Sequence, residues 1–184
     1  MLMFRTTFTT IILLYVAATA HAWTGKVLEV SSGDSITVLH DGRQVKVRLY
    51  GIAAPEKSQP YWQKAKNMTS AFVAGKIVDV SIFDTNRYGF SVGLVTVGGK
   101  NINRTLIETG YAWVYDAYCG QSFCSDWQGL ELQARAAKLG LWRDSSPTPP
   151  WLWRSGNRFI KGKTKRTRSK NPNLLGVGPA SKSK

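Results

Sequence analysis

The segment VRLYGIAAPEKSQP, Val47 to Pro60, places an arginine, Arg48, and a glutamate, Glu56, on either side of a Gly-Ile-Ala-Ala-Pro bend. An arginine fork bonds phosphate oxygens in bidentate fashion and stays charged at any working pH. A glutamate within reach of the same phosphate can position or deprotonate an attacking water. The pair therefore reads as a site for gripping and attacking a phosphate. The bend itself carries Ala53 and Ala54 where a metal site would want oxygen ligands. Upstream, Asp34 in SSGDSITV offers one carboxylate. Read singly, Asp34 is an ordinary turn residue, Arg48 a solvated strand arginine and Glu56 a surface acid at a bend.

Other chemistries lose their parts on counting. Beyond an N-terminal segment that reads as cleaved, His40 is the only histidine, and it sits in an expected hairpin turn with no nucleophile placed beside it. Cys119 and Cys124 would need a second pair of ligands to hold zinc, and none is evident. In an oxidising compartment a short-loop disulfide is the natural reading of these two cysteines, with two free thiols as the alternative.

The elements that must position Asp34, Arg48 and Glu56 follow from periodicity. Trp23 to Val30 and Ser35 to Leu49 have strand character, with His40-Asp41-Gly42-Arg43 as an Asp-Gly hairpin turn. Pro60 is expected to open a helix to about Ala74, with Trp62, Ala65, Met68, Phe72 and Val73 at helical spacing. A second strand pair, Ile77 to Phe83 and Val92 to Val97, is joined through Arg87-Tyr88-Gly89. A short helix from Asn103 to Thr109 capped by Gly110, an extended aromatic piece YAWVYDAY, and a helix from Asp126 to Lys138 complete an α+β pattern. Pro147, Pro149 and Pro150 mark the end of this body, and Trp151 and Trp153 are expected to pin the chain end back onto it.

The ends of the 184-residue chain differ from its body. Residues 1–22 read as a cleaved export signal: Arg5 is its only charge, Ile11 to Ala18 is apolar, and Ala20-His21-Ala22 is a small-x-small cleavage site. The apolar run is shorter than the ~20 residues a spanning helix needs, so no stable membrane insertion is expected. The protein is expected to be periplasmic or secreted. Residues 154–184 hold ten Lys or Arg and no acid, whereas Trp23 to Trp153 has fourteen against eleven, so most of the formal charge of +14 belongs to a basic tail expected to be disordered. That tail reads either as a solubilising segment or as a nonspecific arm for polyphosphate.

The series SSGDSITV, VRLYGIAAPE, DTNRYGF, INRTLIETGYAWVY and LELQARAAKLGLW, in this order and spacing, resembles the staphylococcal nuclease-like (thermonuclease) family over Trp23 to Trp153. The resemblance implies a five-stranded OB-type β-barrel carrying three helices. It implies Asp34 as a Ca²⁺ ligand, Ala54 as a backbone oxygen ligand, Arg48 as a phosphate clamp and Glu56 as the base. The active-site motif is incomplete, because the family's second metal aspartate falls on Ala53 and its second phosphate arginine on Phe90. A preorganised charge-stabilising group contributes about 10²- to 10³-fold in rate, so a weakened calcium site and reduced activity are expected. Arg87 is a candidate substrate contact from the same loop as Phe90. Tyr115 and Tyr118 are candidates for stacking nucleobases, whereas Trp62 and Trp127 are expected to pack helices against the barrel. The reading is an exported, Ca²⁺-dependent nuclease of DNA or RNA with little sequence preference. The alternative is a catalytically silent nucleic-acid-binding module on the same fold. The sequence points to no protein partner.

Overall fold

The computed structural model describes residues 21–86 and 88–156. Alternating strands build one continuous sheet from β1 (His21–Ser32), β2 (Ser35–His40), β3 (Arg43–Leu49), β5 (Ile77–Thr85) and β6 (Ser91–Val97), with short strands β4 (Ile52–Ala53) and β7 (Lys100–Asn101) along the chain. The sheet order is β3-β2-β1-β5-β6-β7, and a parallel pairing of β3 with β6 closes it into a five-stranded barrel. The β2–β3 hairpin turns at Asp41 and Gly42, both at positive φ, as the Asp-Gly reading requires.

The barrel interior is filled by the inward residues of each strand, including Val27, Ile36, Val38, Val47, Leu49, Val78, Val80 and Val95. Helix α2 (Ile102–Glu108) seals the barrel with Ile102, Leu106 and Ile107, all buried. Asn103, also buried, accepts the Val95 amide at its Oδ1 and donates from its Nδ2 to the carbonyls of Tyr50 and Gly93. One side chain thus satisfies three backbone groups where the strands part.

Helix α1 (Trp62–Val73) begins two residues after Pro60, because Tyr61 stands at φ 66° and interrupts the helical path. It packs close to the β1–β2 turn: a Cβ at Gly33 would lie 2.7 Å from the Ala54 Cβ and 2.9 Å from the Ala65 Cβ. Only small residues allow that approach, and the Thr69 hydroxyl donates to the Gly33 carbonyl at 2.7 Å to fix it. Trp62 does not enter the core as expected; it is half-buried, with the Lys66 ammonium over its ring. Trp127 does, at 3% exposure.

Strand β8 (Trp113–Val114) pairs with β4, and helix α3 (Cys124–Ala136) follows. Buried Glu131 of α3 accepts the Val114 amide at 2.6 Å and an ion pair from Arg135. After a short helical turn at Gly140–Arg143 the chain forms a fourth helix, α4, over residues 150–156. The expected tail boundary at residue 154 therefore falls inside a helix. Pro149 and Pro150 open that helix rather than end the fold, since a proline in the first helical turn loses no hydrogen bond. Among the described residues no helix is long and apolar enough to cross a membrane. The expected export signal, apart from His21 and Ala22 at the start of β1, and residues 157–184 of the expected basic tail lie outside the described residues.

Candidate active site

The site grows from the turn between β1 and β2. Asp34 follows Gly33 and is 3% exposed, so its carboxylate needs partners. It has four: the hydroxyls of Ser32 and Ser35 donate to Oδ1 at 2.8 and 3.2 Å, and Arg48 Nη2 and the Ala54 amide donate to Oδ2 at 3.0 Å each. Strand pairing produces this convergence, because Ser35 lies opposite Arg48 in the β2–β3 ladder. The Leu49 amide also donates to the Asp34 carbonyl at 2.9 Å. Arg48 is half-buried, and its Nη2 is the nitrogen that meets Asp34.

The bend from Gly51 to Glu56 is fixed from two directions. Gly51 stands at φ 69°, and a Cβ there would lie 2.6 Å from the Cys119 sulfur, so the position requires glycine twice over. Cys119 and Cys124 form a disulfide, which seats on this glycine. On the other side Asp34 holds the Ala54 amide, two residues before Glu56. Arg48 and the start of the Glu56 segment are thereby tied to one carboxylate.

Glu56 itself is half-buried, and its carboxylate pairs with Arg154 of α4 at 2.5 Å. Gln59 aligns the two segments: its side-chain oxygen accepts the Glu56 amide at 2.8 Å and its amide group donates to the Thr148 carbonyl. Trp151 stacks on Tyr115, with ring centroids 4.9 Å apart and planes 4° from parallel. Trp153 is half-buried and forms one wall of a small cavity that it shares with Gln59, Pro60, Tyr61, Leu141 and Pro147. The expected pinning is seen for Trp151, whose stack on Tyr115 holds α4 beside the bend.

A Ca²⁺ ion takes about six to eight oxygen ligands. The residues present do not fit that demand. The one carboxylate at the turn already accepts four protein donors, which is about its full acceptor capacity. Ala53, where a second acid would stand, is buried with a methyl group. Ala54 turns its amide, not a free oxygen, toward Asp34. Among the described residues no three His, Cys, Asp or Glu side chains gather into a metal-binding group.

Of the expected substrate contacts, Arg87 lies outside the described residues. Tyr115 donates its amide to the Gly51 carbonyl, which places it at the bend, but Trp151 covers one face of its ring. Tyr118 is 66% exposed beside it, with centroids 4.8 Å apart, and presents the open ring of the pair. Phe90 precedes Ser91, which pairs with Val47, and the Lys46 ammonium sits 5.7 Å from its ring centroid. Sequence reasoning missed Ser32, Ser35, Gln59 and Arg154. The serines flank Asp34 within the quoted motif; Arg154 follows the very tryptophans expected to dock.

The staphylococcal nuclease homologue family model matches residues 46–144. The chain belongs to this family. An uncharacterized endonuclease of Escherichia coli O157:H7 is 40% identical over 131 residues, covering 71% of this chain and 84% of the relative. The micrococcal nuclease of Shigella flexneri is 32% identical over 143 residues, covering 73% and 82%. An uncharacterized endonuclease of Haemophilus influenzae is 36% identical over 132 residues, covering 71% and 72%. The matched region includes Arg48 and Glu56 and carries alanine at position 53 and phenylalanine at position 90.

Proposed function

We propose that this protein is an exported phosphodiesterase of the nuclease class, hydrolysing DNA or RNA with little sequence preference and at reduced rate. One observation carries the reading: the Asp34 carboxylate joins the Arg48 fork to the bend that ends in Glu56. Arg48 then holds a nonbridging phosphate oxygen with the part of its fork that Asp34 does not take. Glu56 takes a proton from water as the new bond to phosphorus forms, and the departing sugar oxygen leaves with a proton from solvent. Reading by phosphate alone carries no sequence information, which accounts for low sequence preference. The nuclease names of the relatives support nucleic acid as the substrate class. Export belongs to the proposal on the resemblance; calcium dependence does not, because the Asp34 carboxylate is already taken up by four protein donors.

The test is incubation of plasmid with the purified protein, with and without Ca²⁺ and chelator, beside Glu56→Gln. Cleavage that drops about 10²- to 10⁴-fold in the variant supports a general base at Glu56. Absence of cleavage at high protein, with Glu56→Gln behaving identically, ends the enzymatic reading. The second reading, a silent nucleic-acid-binding module, is favoured by the buried methyl of Ala53 and the saturated Asp34 carboxylate. It predicts DNA binding without turnover, steeply salt-dependent and largely lost when the chain is cut after Trp153.

A further inference from the structure

We propose that Arg154 is a phosphate-binding residue of this site and supplies, from α4, the second guanidinium that position 90 does not. The inference rests on the nuclease reading above and deepens it. Attack on a phosphodiester adds negative charge to a group already anionic, and one fork cannot cover both nonbridging oxygens from two sides. Among the described residues, the guanidinium groups held at the bend by an acid are Arg48, on Asp34, and Arg154, on Glu56. Lys57, next to Glu56, is exposed and offers a point charge without a fork.

The contact is more than a clasp for the helix. An ion pair between half-exposed side chains contributes little to stability, because water screens it and two long side chains must be held still. Helix α4 is independently docked by the Trp151–Tyr115 stack and, just before it, by the Gln59 bridge to Thr148. Those contacts position Arg154; the ion pair then aims it. Its Nη1 bonds Glu56 and leaves the rest of the fork to a second acceptor. A phosphate bound between Arg48 and Arg154 sits against the carboxylate of Glu56. As the phosphate oxygen takes up the fork, Glu56 is released from its partner to accept the proton of the attacking water.

Position 90 is a fair place to check this. Lys46 and Arg48 project from the same face of β3, and the Phe90 ring lies under Lys46. An arginine at 90, just before the residues that pair with Val47 and Arg48, would therefore approach the phosphate from the Arg48 side.

The experiment uses the full chain and a fluorophore–quencher DNA strand, comparing wild type, R154A, R154K, F90R and R154A/F90R. R154A is expected to lower kcat/KM by about 10²-fold, and R154K to recover part of it by restoring charge without the fork. F90R should raise kcat/KM at least about tenfold in the R154A background and clearly less in wild type, because the two forks serve one phosphate. In the E56Q background, the slope of log Kd against log salt for a short thymidine strand should fall by about 0.7 on R154A. An R154A enzyme as fast as or faster than wild type, as a covering helix would give, overturns the proposal. So does an equal F90R effect in both backgrounds, or an unchanged salt slope. If no variant cleaves, the nuclease reading has failed, and the salt slope alone decides Arg154.

Discussion

Arg48 Nη2 and Asp34 Oδ2 stand 3.0 Å apart, and the same oxygen receives the Ala54 amide. The carboxylate read as a cation ligand is thus the joint that sets the angle between β3 and the bend. Its burial makes the joint strong in one direction only. Removing Asp34 leaves several donors facing a buried gap, whereas removing Arg48 leaves a carboxylate still bonded to two hydroxyls and an amide.

Asp34→Ala is therefore expected to cost about 3 kcal/mol of unfolding free energy, and Arg48→Ala about 1 kcal/mol or less, since water reaches the half-exposed arginine. Urea unfolding of the two variants checks this. Equal losses would show that Asp34 is not the joint.

Ala53 is buried, so Ala53→Asp desolvates a carboxylate beside the Asp34 cluster. The variant should melt several degrees below wild type without divalent ions. It should also gain a Ca²⁺-dependent rise in Tm that wild type lacks, because two acids then share the turn. Thermal scans with and without millimolar Ca²⁺ separate this from a simple loss of packing, which the ion would not repair.

The Cys119–Cys124 bridge closes a short loop against Gly51. Reduction should lower stability by about 2 kcal/mol. Because the loop rests on the bend, hydrogen exchange at Gly51 and Ile52 should rise more than at Val38 or Val80 inside the barrel. A uniform rise would mean that the bridge acts on the unfolded chain alone.

Trp151→Ala removes the ring that lies parallel to Tyr115, a contact contributing about 1 kcal/mol. Trypsin should then cut after Arg154 several-fold faster than in wild type while the barrel stays protected. Unchanged cleavage there would mean that the Gln59 bridge suffices to hold α4.

The barrel was legible because alternation in SITVL and QVKVRL has one meaning once Asp41-Gly42 sets the register. Asp34, Arg48 and Glu56 were legible as residue types at a spacing. Their partners were not. Ser32 and Ser35 look like turn residues until burial of Asp34 gives them a purpose. Arg154 sits 98 positions from Glu56, and no local pattern spans such a distance. The three prolines misled for a physical reason: proline ends one helix and begins another with equal ease, and only the packing of Trp151 decides between them. Tyr61 likewise shortened α1 through a backbone angle that sequence does not announce.

The parallel seam between β3 and β6 has a consequence for synthesis. Arg48 lies opposite Val92, and Leu49 opposite Gly93, so the strand bearing the arginine has an open edge until residues some forty positions later have been made. A growing chain halted before that seam would have the amino acids of the site but not its shape. The ribosome cannot release the arrangement around Arg48 piecemeal; it arrives only with the zipped cylinder.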